Sequence, residues 1–142
     1  MAPTHGNYHH YYNKRPLLRL NSFPPSIFTD RQILDVGTND GHLAVAVAQS
    51  LAPRIITGVD IDRSLVDAAW RHRLAVWSQA SSDNQPAYFP ASFAHELGPL
   101  PIPSGRDRTV FPHNVVFRCA DWTKDEIPED KAGYDVVLAY VG

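Results

Sequence analysis

Apolar residues follow two rhythms along this chain. Four short runs are apolar almost throughout and lie in Gln32–Val36, Ile55–Val59, Asn114–Arg118 and Tyr134–Val141. Runs of that length, rich in Val and Ile and lacking strict alternation, predict strands buried on both faces. Two other segments repeat at helical spacing. Leu43, Val47 and Leu51, flanked by Ala44 and Ala48, predict a helix from Gly41 to Leu51 that Pro53 stops. Leu65, Val66, Ala69, Trp70, Leu74 and Trp77 predict a second helix, capped by Asp62 and running to Ser78. Strands alternating with helices predict an α/β fold: a parallel, doubly wound, Rossmann-like sheet with ligands at the carboxyl ends of its strands.

Three stretches break the rhythm. Residues 79–112 contain Ser81-Ser82-Asp83-Asn84, six prolines and no periodic segment. So long a patternless stretch inside one domain reads as a mobile insertion on a sheet edge. Residues 1–30 are polar, aromatic and proline-bearing, and read as an N-terminal hook ahead of the sheet domain at 31–142. Residues 123–133 are charged and too short for a good crossover helix.

The chemistry concentrates where the first strand meets the first helix. Asp35, Gly37 and Gly41 form a D-x-G-x-x-x-G turn, and Asp60 and Asp62 close the second strand. Glycines allow a sharp turn and a close approach of backbone to a ligand, and an acid about 20 residues on can accept from ribose hydroxyls. A dinucleotide fingerprint would carry a third glycine. Here it is missing, and Asp40 would oppose a pyrophosphate. A ligand with a positive centre and no phosphate, such as S-adenosylmethionine, fits better; the competing reading is a tight turn with no ligand.

Composition narrows the classes. The chain has 142 residues, enough for one domain. No apolar run reaches the roughly 20 residues of a membrane span, and Met1–His10 has no signal-peptide core. Cys119 is the single cysteine, so an internal disulfide is excluded and a reducing, intracellular setting is expected. Residues 1–29 hold Lys14, Arg15, Arg19 and three histidines with no acid. Tyr8, Tyr11 and Tyr12 beside Lys14 and Arg15 could stack a terminal base and hold a phosphate; the rival reading is a packed hook. His9 and His10 are not expected to form a metal site, because adjacent histidines converge poorly and no acid or cysteine lies near them in sequence.

Several segments together resemble the bicoid-interacting-protein-3 family of RNA methyltransferases, which includes a methylphosphate capping enzyme of a small nuclear RNA. They are Gly6-Asn7-Tyr8-His9-His10-Tyr11-Tyr12, Arg19-Leu20, Leu34 to Asn39 with Gly41-His42-Leu43, Gly58 to Asp62, Phe111-Pro112 with Asn114 to Phe117, and Tyr134 to Leu138. The resemblance implies a class I S-adenosylmethionine-dependent methyltransferase sheet with strands in the order 3-2-1-4. It implies transfer of a methyl group to a terminal phosphate of RNA, in the nucleus or cytoplasm. It places cofactor contacts on Tyr12, Arg19, Gly37, Thr38, Asn39, Asp60, Ile61, Asp121, Trp122 and Tyr140, and the RNA 5′-phosphate near Tyr8, Tyr11, Lys14 and Arg15.

Three departures qualify the match. Thr38 stands where the family usually has cysteine, and Asp121-Trp122 where it has an Asn-Tyr type pair. The family sequence also runs on past the fourth strand, whereas this chain stops at Gly142. The expectation is therefore the N-terminal half of the domain, truncated after the fourth strand. Its open edge at Val136, Val137, Leu138 and Val141 would favour self-association. The expectation for such a fragment is inactivity, and the alternative is a non-catalytic remnant that binds RNA or protein.

Overall fold

The computed structural model describes residues 20–84 and 108–139, with side chains left undescribed at 81–84. Strand β1 is Gln32–Val36 and helix α1 is His42–Ser50. Strand β2 is Ile55–Asp60, helix α2 Arg63–Asn84, strand β3 Val115–Cys119 and strand β4 Val136–Ala139. One-turn 3-10 helices cover Pro25–Ile27 and Pro128–Lys131. The four strands form one parallel sheet in the order β3-β2-β1-β4. This is the strand order that the family resemblance implied.

The core lies between the sheet and its two helices. Ile33, Ile56, Val115 and Phe117 from the strands meet Ala44, Val45, Val47 and Ala48 of α1 and Val66 and Ala69 of α2, all buried. Phe28, just ahead of β1, joins the same cluster. Helix α1 is more enveloped than its four-residue repeat suggested, since Val45 is as deeply buried as Val47. Helix α2 follows its expected stripe at Val66 and Ala69, with Trp70 packed against the core edge-on to Phe117, ring centroids 5.4 Å apart.

Asn114 binds the layers together. It is 1% exposed, and its Nδ2 donates to the carbonyls of Ala48 and Pro53 at 3.0 and 3.3 Å. Those carbonyls belong to the end of α1 and the turn into β2, so one side chain satisfies the chain where it leaves the helix. Replacing Asn114 with Ala should cost about 2 kcal/mol, because two buried acceptors lose their donor and a small cavity opens. Urea unfolding would measure it, with the midpoint falling at unchanged slope.

The structure corrects three expected boundaries. The second helix runs to Asn84 rather than Ser78, so Ser81-Ser82-Asp83-Asn84 continues it. The expected insertion at 79–112 is therefore helical at its start. At its other end Phe111 packs against the core and Pro112 is buried behind a cis Phe111–Pro112 bond. The rest of that expectation, at 85–107, lies outside the described residues. The fourth strand begins at Val136, not Tyr134, whose hydroxyl instead donates to Asp130 at 2.7 Å in the preceding turn.

Arg73 of α2 controls the return of the chain. Its Nη1 donates to the carbonyls of Pro112 and Val115 at 3.0 and 3.2 Å, and its guanidinium sits 4.6 Å over the Trp70 ring. Partial burial holds its pKa below that of a free arginine. On the far side of the sheet, β4 pairs only with β1 among the described residues, and Val137 is 56% exposed.

Candidate functional site

The site grows from the turn after β1. Gly37, Asn39 and Gly41 all take positive φ, at 70°, 55° and 79°. The amides of Gly37 and Thr38 both donate to the Val59 carbonyl at 2.9 Å, which fastens the turn to β2. The two glycines have different tasks. A Cβ on Gly37 would meet nothing within 4 Å, so this backbone faces open space. A Cβ on Gly41 would lie 2.8 Å from Ala69 Cβ and 2.8 Å from the Phe117 ring, so this glycine admits α2 and β3 to close packing.

Asp60 spans the two loops. Its Oδ2 accepts from the Asn39 amide and its Oδ1 from the Asp62 amide, each at 3.0 Å. The expected ribose acceptor is thus already oriented by backbone donors, beside the open face of Gly37. Asp62 has the separate role foreseen for it. Its Oδ1 takes the amide and hydroxyl of Ser64 at 2.9 and 2.6 Å, capping α2.

Beneath the turn lies Asp35, 2% exposed. Burial pushes its carboxyl up to about 6, the Thr38 hydroxyl pulls against that by donating to Oδ2 at 2.8 Å, and the charge of Asp60 adds to the rise. Asp40 behaves oppositely. Partial burial disfavours its charge, but His42 Nδ1 at 2.8 Å, with His72 behind it, holds the carboxyl below its ordinary value. The rings of His42 and His72 stack with centroids 3.8 Å apart. Asp40 and His42 lie two residues apart in sequence, but His72 joins them only because α2 packs on α1, and no spacing in the sequence signals it.

At the neighbouring strand end, Ile61 is 74% exposed and Trp122 59% exposed, two large apolar side chains following β2 and β3. Asp60 and Cys119 are register partners there, and Cys119 Sγ contacts the Ile61 carbonyl at 3.6 Å. Asp121 serves its own turn: its Oδ1 accepts the amide and hydroxyl of Thr123 at 3.0 and 2.5 Å. Those bonds hold its carboxyl below the ordinary range. Only its second oxygen carries no described bond. The turn that follows is pinned by Arg118, which grips Glu129 through two bonds of 2.9 and 2.7 Å.

The structure therefore gathers Gly37, Thr38, Asn39, Asp60, Ile61, Asp121 and Trp122 along the carboxyl ends of β1, β2 and β3. Tyr8, Tyr11, Tyr12, Lys14, Arg15, Arg19 and Tyr140 lie outside the described residues. Among the described residues no cluster of three or more His, Cys, Asp or Glu side chains could hold a metal, and no helix is long and apolar enough to cross a membrane.

No family model matches the chain. Curated proteins do. The 7SK snRNA methylphosphate capping enzyme of Mus musculus is 33% identical over 167 residues, covering 96% of this chain and 25% of that protein. The Homo sapiens enzyme of the same name is 32% identical over 165 residues, covering 94% and 24%. The U6 snRNA methylphosphate capping enzyme Amus of Drosophila melanogaster is 40% identical over 73 residues, covering 46% and 24%. The chain thus spans about a quarter of the length of these relatives. Among solved structures, a methyltransferase from Mesorhizobium loti aligns at a TM-score of 0.49 and 12% identity, over 92% of this chain and 42% of that one. Coclaurine N-methyltransferase aligns at 0.48 and 19%, over 90% and 26%. By sequence, the chain is a homologue of the snRNA methylphosphate capping enzymes, the bicoid-interacting-protein-3 type of RNA methyltransferase.

Proposed function

We propose that this chain carries the S-adenosylmethionine site of an RNA methyltransferase that acts on a terminal phosphate. The observation that carries the reading is Asp60, held by the Asn39 and Asp62 amides beside the open face of Gly37. The donor set suits this cofactor. The described turn presents Asp35 and Asp60 with no lysine or arginine at Gly37–Gly41, which favours a cation with hydroxyls over a pyrophosphate. When bound, S-adenosylmethionine supplies a methyl group on a positively charged sulfur.

The residues then divide the work. Asp60 accepts from the ribose hydroxyls in charge-assisted bonds. Ile61 and Trp122, exposed as they stand, cover the adenine, and the second oxygen of Asp121 accepts from its amino group. Arg19 pairs with the methionine carboxylate and Tyr12 and Tyr140 complete the cofactor contacts. Tyr8, Tyr11, Lys14 and Arg15 hold the RNA end. A terminal phosphate has a second pKa of about 6 and is largely ionised at neutrality, so it needs no strong general base. What the protein contributes is alignment. The names of the relatives support RNA as substrate and a methylphosphate as product.

Asp60→Ala should weaken S-adenosylmethionine binding by roughly 1.5–3 kcal/mol, about 10- to 150-fold. Asp62→Ala should lower the melting temperature slightly and leave affinity alone, since it removes only a helix cap. Isothermal titration of both variants, with a nicotinamide dinucleotide as control ligand, checks the assignment; equal affinity in wild type and Asp60→Ala would sink it. Transfer of labelled methyl to 5′-phosphorylated but not 5′-hydroxyl RNA tests the substrate. RNA binding without turnover would favour the non-catalytic alternative.

The outer side of β4, uncovered among the described residues, is the surface through which this 142-residue chain would self-associate. Sedimentation over a wide concentration range should show it, and a monomer at every concentration removes it.

A further inference from the structure

Thr38 is confined more tightly than a turn residue needs to be. It is 5% exposed, and its hydroxyl points at Asp35 Oδ2, 2.8 Å away. Behind it the β2 backbone comes so close that a Cβ on Gly58 would overlap Thr38 Oγ1 and lie 2.8 Å from Thr38 Cβ. Gly58 is also the register partner of Asp35 on β2. The carboxylate thus sits in a slot whose described hydrogen-bond donor is the Thr38 hydroxyl. On its other side β4 offers Leu138. The charged group that faces Asp35 is Asp60, at the end of β2, and it opposes ionisation. Asp40 and His42 are engaged with each other on the helix side of the turn.

We infer that Thr38 is a positioning residue: by donating to Asp35 it keeps that buried carboxylate charged for a cationic ligand, and so sets how far into acid the protein binds S-adenosylmethionine. This rests on the cofactor reading above. The ligand carries a sulfonium and an ammonium against one carboxylate, and a buried anion beneath the glycine turn is its natural counter-charge. A protonated Asp35 offers no such charge, so the binding-competent fraction of the protein is the ionised fraction. With the carboxyl near 6 in the ligand-free protein, about one molecule in ten is competent at pH 5. Binding then drives the rest to release a proton.

The test compares wild type with Thr38→Ser, which keeps the donor, Thr38→Val, which removes it at nearly constant volume, and Thr38→Cys, a weak donor. Two readouts are taken from pH 5 to 8.5. One is the Asp35 carboxyl titration by carbon NMR without ligand. The other is calorimetric titration with S-adenosylmethionine in two buffers of different ionisation enthalpy.

In wild type the Kd should weaken about tenfold between pH 7.5 and 5, with proton release on binding near pH 6. Thr38→Ser should follow it. In Thr38→Val both the carboxyl titration and the loss of affinity should move to higher pH, with affinity weakened several-fold at pH 7 and recovering at pH 8.5. Thr38→Cys should fall between, and it decides the matter if Thr38→Val does not fold. A role in packing alone would weaken binding equally at every pH. An unchanged midpoint in Thr38→Val and Thr38→Cys overturns the inference and leaves the cofactor reading intact. Failure of the wild type to bind S-adenosylmethionine at any pH overturns both, whatever the carboxyl titration shows.

Discussion

In Asp35→Asn protein the ligand-free melting temperature at pH 8 should rise by several degrees while affinity for S-adenosylmethionine falls. The gain follows from the raised carboxyl, about 6 in the fold against 3.8 for a free aspartate. Between those values the native state binds more protons than the unfolded chain, so stability falls as pH rises through about 4 to 6. Above that window the cost stands in full, about 3 kcal/mol for a shift of roughly two units. Asparagine does not titrate, has the same size and keeps an oxygen for the Thr38 hydroxyl. The two proteins should therefore melt alike near pH 4 and diverge by about 2–3 kcal/mol above pH 6, less whatever burying the new amide costs. Thermal melts at several pH values check it. Parallel curves would show that Asp35 is solvated in solution. On the proposed reading, Asp35 is a site where the fold gives up stability for a charge that the ligand uses.

Gly41→Ala should cost about 3–4 kcal/mol, a large share of a domain total of 5–15 kcal/mol. Two penalties add. A φ of 79° disfavours any Cβ by about 1–2 kcal/mol. The new methyl would also press on Ala69 and the Phe117 ring at 2.8 Å, and both belong to the packed core. Gly37→Ala meets only the first penalty, because nothing lies within 4 Å of it. That variant should fold, lose about 1–2 kcal/mol and bind cofactor poorly. Chemical denaturation separates the pair; equal losses at both positions would mean that the turn is held open differently in solution.

The sheet was legible because its signals are local. Strands β1 and β2 start where the sequence reading placed them, since Pro53 and the glycine turn punctuate the chain on either side. Helix α2 was read too short. Ser81-Ser82-Asp83-Asn84 reads as a loop on propensity, a weak prior, and the helix continues through it. Asp35, Gly37, Gly41 and Asp60 were readable because strand end and turn fix their spacing. The partnership of Thr38 with Asp35 needed the turn geometry, and the meeting of His42 with His72 needed the packing of α2 on α1. The first is a three-residue contact, but the second spans 30 positions that no periodicity links.

The grip of Arg73 on the carbonyls of Pro112 and Val115 has a consequence for how this protein can change. The chain's re-entry into β3 is fixed from inside α2, at a point before the intervening segment begins. The start of β3 is thereby held to α2 by contacts that do not run through that segment. A fluorescent reporter or affinity tag spliced in between α2 and β3 should therefore leave the start of β3 anchored, since loop length costs little once both ends are held.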